Sequence, residues 1–320
     1  MKILVTGSAG HLGEALMRTL RDRGTPVVGV DLLPSPFTDF VGNIADRAVV
    51  DECMRGATHV LHAATLHKPH VATHPRQVFI DTNVTGTLNL LESAVANHVK
   101  SFIFTSTTST FGDALTPPAG APAAWITEDV VPLPKNLYGV TKTAAEDLCR
   151  LFHRNEKLAC LILRTSRFFP EEDDVAERAS AYAEDNLKVN ELLYRRVDVE
   201  DVVTSHLLAA EKAPSLGFGK FIITATTPFR REDLAQLGID APSVLAKYYP
   251  DYPTIFARRG WKMLPALDRV YINARARELL GWQPRHEFAH ALQRIADGRD
   301  YRSDLAIAVG AKGYHRNGQV

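Results

Sequence analysis

The chain has 320 residues and a formal net charge of zero, because 37 basic side chains balance 37 acidic ones. That balance gives no electrostatic reason to expect nucleic acid or an anionic membrane as a partner. The three cysteines show no metal-ligand spacing, and no apolar run is long enough for a signal peptide or a membrane helix. We therefore expect a cytoplasmic protein with reduced thiols, and we assign no metal.

Short apolar runs alternate with helical patterns over the first two-thirds of the chain. The helical segments carry apolar residues at the matching spacing, as Leu12, Leu16 and Leu20 illustrate. Strands that alternate with helices indicate βαβ units, and hence a parallel sheet with helices on both faces. The predicted fold class is α/β, a Rossmann-type doubly wound sheet that binds ligands at the carboxyl ends of its strands. The predicted strands are residues 3–5, 27–30, 60–64, 102–104, 161–163 and 221–223.

The strand pattern fades after residue 226, where mixed helix and loop signals begin. We therefore predict two parts of unequal size. Residues 1–165, to which residues 196–226 return, form a nucleotide-binding domain. Residues 166–195 and 227–320 form a smaller, C-terminal substrate-binding lobe.

Three glycines, Gly7, Gly10 and Gly13, stand between the first predicted strand and an amphipathic helix. Gly7 allows a tight turn, Gly10 lets the backbone approach a pyrophosphate, and Gly13 lets the helix pack closely on the strand. The phosphates would then meet free N–H groups at the positive end of the helix dipole. In this context the spacing predicts a dinucleotide site rather than an ordinary turn.

Asp31 ends the second predicted strand. A carboxylate at this place can accept the ribose hydroxyls of adenosine and would repel a 2′-phosphate. The residues that follow it supply no arginine to bind such a phosphate. The sequence therefore predicts NAD rather than NADP as the cofactor.

Tyr138 and Lys142 are four residues apart, which places them on one face of a helix. An ammonium beside a phenol stabilises the phenolate, so Tyr138 can act as a general base. The hydroxyl run 105–109 follows a predicted strand and could hold a substrate oxygen beside this tyrosine. Taken alone, the Tyr–Lys spacing also arises by chance, and Ser and Thr often simply fill a strand-to-loop transition.

With these elements in this order, the chain resembles the extended short-chain dehydrogenase/reductase family, particularly its nucleotide-sugar epimerase and dehydratase branch. Other segments extend the likeness over nearly the whole chain. They are Gly42-Asn43-Ile44, His62-Ala63-Ala64, residues 83–87, Leu163-Arg164, residues 197–202 and residues 280–284.

The resemblance implies a role for each matching residue. Tyr138 would be the catalytic base, Lys142 its activator and a ribose ligand, and Thr107 the hydroxyl partner. Substrate would meet Thr107, Thr108, His67 and Arg167. A homodimer is implied, built from helices within residues 84–95 and 144–151. The implied cofactor contacts are Gly7, Gly10, His11, Leu12, Gly13, Asp31, Asn43, Ile44, Ala63, Ala64, Asn83, Thr105, Tyr138, Lys142, Thr165 and Ser166.

Four positions depart from the pattern of that branch. Arg167 stands where an asparagine is usual, and Tyr194 stands where an arginine is common. Both positions normally hold the nucleotide part of the substrate, so we do not expect a UDP- or GDP-sugar. Thr108 and Ser109 replace the Asp-Glu pair of the dehydratases, so we do not expect water elimination either.

Three functions remain open at this point. We favour an NAD-dependent oxidoreductase that acts on a secondary alcohol or ketone of a sugar-like or polyol-like molecule. The first alternative is an epimerase with tightly bound NAD and a transient keto intermediate, and the second is a non-catalytic NAD-sensing module. Arg167, Arg195 and Arg196 either pair with an anionic substrate group or form a basic edge balanced by the acidic residues 171–174.

Overall fold

The computed structural model describes residues 2–171 and 180–313. Seven parallel strands form one sheet in the order β3-β2-β1-β4-β5-β7-β8. Two further short strands, β6 and β9, pair in parallel as a separate sheet. The strands are β1 Ile3–Thr6, β2 Val27–Asp31, β3 Phe40–Val41, β4 His59–His62, β5 Ser101–Thr107, β6 Ala124–Ile126, β7 Cys160–Thr165, β8 Phe218–Ile223 and β9 Arg269–Tyr271.

Helices connect the strands and cover both faces of the main sheet. The helices are α1 His11–Asp22, α2 Arg47–Met54, α3 Arg76–Ile80, α4 Gly86–Ala96, α5 Leu137–Glu156, α6 Glu184–Glu191, α7 Val199–Leu216, α8 Leu234–Leu237, α9 Ala241–Tyr248, α10 Tyr252–Ala257, α11 Ala274–Leu280, α12 Phe288–Ala296 and α13 Asp304–Val309. A π-helical turn, Asp81–Thr85, lies between α3 and α4. Among the residues described, no helix is both long and apolar enough to cross a membrane.

The Rossmann-type fold class and all six predicted strands are confirmed. Successive residues of β1 show why the apolar sequence pattern predicted the strands correctly. Ile3 and Val5 pack against α1 and α7 on one face, whereas Leu4 packs against α2 and α4 on the other. A strand buried on both faces is apolar at every position. Strands β3, β6 and β9 have two or three residues each, which is too short for a periodic signal.

A third apolar cluster joins α6 to helices α8, α9, α10 and α12, and we propose it as the core of the smaller lobe. The structure distributes the chain somewhat differently from the predicted boundaries. Trp282 and Val309 pack into the core of the main sheet, although both fall within residues 227–320. The indole N–H of Trp282 donates to the backbone oxygen of Asp201 at 3.0 Å. The segment from α11 to α13 therefore leaves the large domain and returns to it.

A buried group of charges joins α5 to the carboxyl ends of β5 and β7. The Glu146 carboxylate accepts hydrogen bonds from Ser106 Oγ at 2.6 Å, Arg164 Nη2 at 2.7 Å and Lys220 Nζ at 2.7 Å. Burial disfavours the carboxylate, but Arg164 and Lys220 outweigh it and hold the pKa of Glu146 below its ordinary value. This stabilising contribution is present at neutral pH and is lost as the pH falls through that lowered pKa.

We expect Glu146→Gln to reduce the free energy of unfolding by about 3–5 kcal/mol at neutral pH, because it leaves the buried Arg164 and the partly buried Lys220 without a counter-charge. Urea unfolding measures the change. The matched control is Asp51→Asn, which breaks an exposed pair with Arg47 at 2.9 Å and should cost below about 1 kcal/mol. Equal losses in the two variants would contradict a special role for the buried group.

Candidate functional site

The carboxyl edge of the main sheet carries a cleft made of two adjoining cavities. The first, the Asp31 cavity, has a volume of about 130 Å³, and the second, the Tyr138 cavity, about 310 Å³. They share a wall that contains the glycine loop, and so they form one continuous cleft. The shared residues are Gly7, Gly10, His11, Ala63, Thr65, His67 and Phe169.

Nearly all predicted site residues line this cleft. Asp31, Asn43, Ile44 and Ala64 line the Asp31 cavity alone. Those confined to the Tyr138 cavity are Leu12, Gly13, Thr105, Thr107, Thr108, Tyr138, Thr165, Ser166 and Arg167. Asn83 and Lys142 are the exceptions, since neither is among the residues that line the two cavities.

The glycine loop brings the start of α1 against the end of β1. A Cβ atom on Gly13 would lie 1.8 Å from the backbone oxygen of Gly7, so no larger residue fits there. Helix α1 begins at His11, and the side chain of its N-cap, Gly10, is only a hydrogen atom and caps no N–H group. The free N–H groups of this first turn therefore face a cleft that suits an anion.

Backbone N–H groups orient Asp31 at the far end of the cleft. Asp31 Oδ2 accepts from Ala9 N at 3.0 Å, and Oδ1 accepts from Leu33 N at 2.9 Å. Asn43 is held in the same way, because its Oδ1 accepts from Ala45 N at 2.9 Å. Both side chains are thus fixed in place on the wall of the Asp31 cavity before any ligand arrives.

Tyr138 and Lys142 lie in the first half of α5 and are both buried. The helix begins at the N-cap Asn136, whose Oδ1 accepts from Gly139 N at 3.0 Å. Tyr138 lines the Tyr138 cavity, whereas Lys142 Nζ lies 4.0 Å from the centroid of the Phe104 ring. The predicted contact of Lys142 with a ribose therefore stays a prediction.

The charge state of Lys142 differs from the simple expectation of an ammonium. Burial lowers the pKa of Lys142 to about 7, against partial compensation from Cys149 and Glu146. The ammonium form of Lys142 is therefore much less favoured than that of an exposed lysine. Its influence on the Tyr138 phenol therefore depends on pH.

The hydroxyls at the ends of β5 and β7 have distinct surroundings. Thr107 Oγ1 accepts from Ser109 N at 3.1 Å, which leaves its own hydrogen for another acceptor. Thr105 Oγ1 lies 2.8 Å from His206 Nε2, and Thr165 Oγ1 donates to Ser106 O at 2.9 Å. Ser166 Oγ is buried and has no hydrogen-bond partner among the residues the structure describes. Ser166 and Thr107 therefore remain the best placed for ligand contacts.

Asn83 supports the wall of the cleft without lining either cavity. The π-helical turn places its amide so that Oδ1 accepts from Leu66 N at 2.9 Å and from Thr65 Oγ1 at 2.9 Å. Its Nδ2 donates to Leu66 O at 3.2 Å and to Thr141 Oγ1 at 3.0 Å. All its polar groups are thus used within the protein, and Asn83 positions residues 65–66 and α5 relative to each other.

His67 lies between Tyr138 and Phe169, with ring-centroid distances of 6.0 Å and 5.1 Å. A reciprocal capping arrangement fixes its ring, because the His67 side chain accepts from His70 N and His70 Nδ1 accepts from His67 N. A ring nitrogen that accepts from N–H carries no proton in the neutral form. The other nitrogen of His67 is therefore the N–H donor.

Arg167, Arg195 and Arg196 converge on one buried carboxylate, that of Glu191. Their distances to the Glu191 oxygens are 2.9, 2.7 and 2.8 Å. Burial disfavours ionisation, but the three guanidinium groups outweigh it and hold the pKa of Glu191 well below its ordinary range. Residues 172–174 of the predicted acidic balance lie outside the described residues.

Sequence reasoning missed part of the wall. Phe169, Glu171, Lys312 and Gly313 all line the Asp31 cavity. Residues 312 and 313 meet the glycine loop from the opposite end of the chain, and no local pattern predicts so distant a contact. Within the described ranges no group of three or more His, Cys, Asp or Glu side chains could hold a metal ion.

A dinucleotide fits the residues that are present. The uncapped first turn of α1 suits the phosphates, and the oriented Asp31 carboxylate suits ribose hydroxyls. The orphaned hydroxyl of Ser166 in the Tyr138 cavity suits a polar group of the ring at the other end. Each part of the cleft thus matches one part of the ligand that the glycine spacing predicts.

Comparison with known proteins agrees with this geometry. A model described as the NAD dependent epimerase/dehydratase family matches residues 3–221. A dTDP-glucose 4,6-dehydratase from Streptomyces antibioticus is 29% identical over 96% of this chain and 94% of its own length. A UDP-glucose 4-epimerase from Azospirillum brasilense is 25% identical over 98% of this chain and 95% of its own length. With two other relatives, the chain spans only 39% and 57% of their length.

Solved structures share the fold. A short-chain dehydrogenase/reductase superfamily protein from Agrobacterium tumefaciens, determined with bound NAD, superimposes with a TM-score of 0.66. It is 24% identical, and the superposition covers 93% of this chain and 96% of that one.

We expect Gly13→Ala to abolish dinucleotide binding, because its Cβ would displace the Gly7 backbone by more than an ångström. Isothermal titration calorimetry with NAD measures the loss of binding. Gly24→Ala is a suitable contrast, because the space around Gly24 is open and its φ of +64° adds only backbone strain, roughly 1–2 kcal/mol, away from the cleft. This variant should bind NAD normally. Normal binding by the Gly13 variant would contradict the close approach.

We expect Lys142→Met to stabilise the cofactor-free protein at pH 6, by on the order of a few kcal/mol, because it removes a charge that burial disfavours. The folded pKa of Lys142 is about 7 and the ordinary value is 10.5. Between these values the unfolded chain binds more protons, so wild-type stability rises with pH. The advantage of the variant should therefore shrink between pH 7 and about 10, as urea unfolding across this range would reveal. A difference in the free energy of unfolding between variant and wild type that stays constant over this pH range would contradict the lowered pKa of Lys142.

Proposed function

The chain belongs to the NAD-dependent epimerase/dehydratase family of the extended short-chain dehydrogenase/reductase enzymes, and we propose that it transfers hydride at a secondary alcohol carbon of a sugar-like or polyol-like substrate. The observation that carries this proposal is the position of Tyr138. It lines the same cavity as the glycine loop, Thr107 and Ser166. A base, a cofactor site and an oxygen-binding hydroxyl thus share one space.

The proposed cofactor is NAD, whose nicotinamide ring accepts hydride from carbon. The diphosphate would lie on the first turn of α1, and Asp31 would bind the adenosine ribose. Asp31 also supports NAD over NADP, because its carboxylate would repel a 2′-phosphate.

The protein residues handle the proton. Tyr138 would take the hydroxyl proton as the carbonyl forms, and Thr107 would donate its free hydrogen to the same substrate oxygen. His67 lies beside Tyr138, and we propose that its ring orients a second substrate oxygen. Lys142, when protonated, would favour the Tyr138 phenolate through its charge.

The lining of the Tyr138 cavity supports a substrate rich in hydroxyl groups. Ser106, Thr107, Thr108 and Ser109 line it on one side. Arg167 faces the same cavity, but its guanidinium already contacts Glu191. That ion pair weakens the case for an anionic or nucleotide-bearing substrate. Thr108 and Ser109 supply no carboxylate for water elimination, so we do not propose dehydratase activity.

An epimerase is the second candidate, supported by the relative from Azospirillum brasilense that matches along most of its length. The two activities share the oxidation step and differ in what happens to the hydride after it has been transferred to NAD. A dehydrogenase accumulates NADH with its substrate, whereas an epimerase returns the hydride and shows none. A screen of sugars, sugar acids and polyols for NADH formation and for epimer interconversion separates them.

We expect Tyr138→Phe to lower the rate of hydride transfer by roughly 10²–10⁴-fold, because it removes the general base and keeps the ring. Single-turnover absorbance of NADH, formed or consumed, measures this rate, and NAD affinity should change little. The matched control is Tyr249→Phe in the smaller lobe, which should react at the wild-type rate. Full activity in the Tyr138 variant would refute the catalytic role of Tyr138, whereas a wild-type protein that binds NAD but transfers no hydride to any screened substrate would favour a non-catalytic NAD-sensing module.

The predicted homodimer remains a proposal. Val140 and Leu151 on α5 are 49% and 44% exposed, so this helix offers apolar side chains that a dimer interface would cover. Sedimentation equilibrium of wild type and of Leu151→Glu tests whether this helix is an interface, and we expect the substitution to shift the protein toward monomer.

A further inference from the structure

We infer that residues 310–313, here named the strap, close over the Asp31 cavity and hold the bound nicotinamide dinucleotide in place. This inference rests on the proposed function for the identity of the ligand. Lys312 and Gly313 line the cavity opposite the sheet edge. The strap follows directly after α13, which packs on α1 and α7.

The strap is anchored on both sides of the cleft. On the side of the glycine loop, His11 Nδ1 lies 3.0 Å from Gly310 O, and Lys312 Nζ forms an ion pair with Glu14 of α1. On the other side, Glu171 Oε1 accepts from Lys312 N and Gly313 N, each at 3.2 Å. Glu171 belongs to the loop after β7. The strap therefore connects the two sides of the cleft, α1 and the loop after β7.

Two features of the strap allow it to open. Gly310 and Gly313 have φ values of +63° and +69°, a backbone region that other residues rarely adopt. The contacts of the strap described above are polar, and its one apolar side chain, Ala311, is exposed. Segments with few buried apolar contacts open locally at low cost. A ligand can therefore enter and leave by strap opening while the sheet stays rigid.

Two anchoring side chains each keep one unused acceptor. His11 Nε2 and Glu171 Oε2 are buried and have no hydrogen-bond partner among the described residues. Because burial lowers the pKa of His11 and its Nδ1 faces a carbonyl, Nδ1 carries the proton and Nε2 is an acceptor. Buried acceptors without donors are costly. The hydroxyl and amide donors of a nicotinamide dinucleotide could relieve that cost with small adjustments.

The charge of Lys312 also couples the strap to the ligand. Glu14 is 5% exposed and sits in the first turn of α1, next to the proposed diphosphate position. Its carboxylate would repel a diphosphate, and Arg18 and Lys312 offset that repulsion from two sides. When the strap opens, Lys312 withdraws. Ligand binding and strap closure therefore favour each other.

Retention of the dinucleotide has a chemical consequence. An enzyme that exchanges its cofactor at each turnover must open the strap every time. An enzyme that returns the hydride to its substrate needs no exchange, so a closed strap suits the epimerase alternative. The strap thus bears on which of the two proposed activities the chain performs.

The test measures release of the dinucleotide rather than activity. Wild type, Glu171→Ala and Lys312→Met are loaded with NADH and mixed with excess NAD, and the decay of bound-NADH fluorescence is followed by stopped flow. We expect release roughly tenfold or more faster in both strap variants. Lys247→Met removes a lysine that lies 4.0 Å from Asp233, in the smaller lobe, and should release NADH at the wild-type rate. Unchanged release in both strap variants would overturn the inference.

Limited trypsin digestion gives a second readout. NAD should slow cleavage after Lys312 in wild type, detected by intact mass, and should protect Glu171→Ala less. Equal protection would count against the strap. Normal unfolding midpoints for the cofactor-free variants show that they fold. If wild type binds no NADH, the proposed function fails as well. If release is unchanged while Tyr138→Phe is inactive, the strap alone fails.

Discussion

The approach of Gly13 to the Gly7 backbone sets the geometry of everything around the cleft. Because α1 comes this close to β1, its first turn points at the space above the sheet edge. The glycine loop before this turn carries Ala9, which orients Asp31, and the turn itself begins with His11, which meets the strap. A bulkier contact here would move the phosphate position, the ribose position and the cover of the site together. One packing constraint thus determines three parts of a binding site.

The parts of the molecule that the sequence predicts are those with local causes. Buried parallel strands are apolar at every position, and the helix of Tyr138 and Lys142 needs only four residues of spacing. Contacts between distant residues were not predictable. Asn83 supports Leu66, Glu191 gathers three arginines, and Lys312 reaches Glu14 across almost the whole chain. The lowered pKa of Lys142 was not predictable either, because burial is a property of the fold and not of the spacing.

Two buried carboxylates organise the cations around the site. Glu146 binds Arg164 and Lys220 beneath the Tyr138 helix, and Glu191 binds the arginines beside the Tyr138 cavity. In both places the acid and its bases come from different elements, so the ion pairs fix strand ends and loops relative to one another. The wall of the Tyr138 cavity offers a group of hydroxyl-bearing residues beside apolar ones. That division between structural charge and neutral lining is what favours a polyhydroxy substrate in our proposal.

The π-helical turn Asp81–Thr85 has a consequence for how this family member could change over time. One extra residue in a turn rotates all later side chains by about 100° around the helix axis. Here the turn lets Asn83 face Leu66 while Leu90 and Leu91 still face the core. Deleting a single residue would restore a regular helix. It would also rotate either Asn83 away from Leu66 or Leu90 and Leu91 away from the core. Such a position tolerates substitutions in its exposed side chains but resists any change in length.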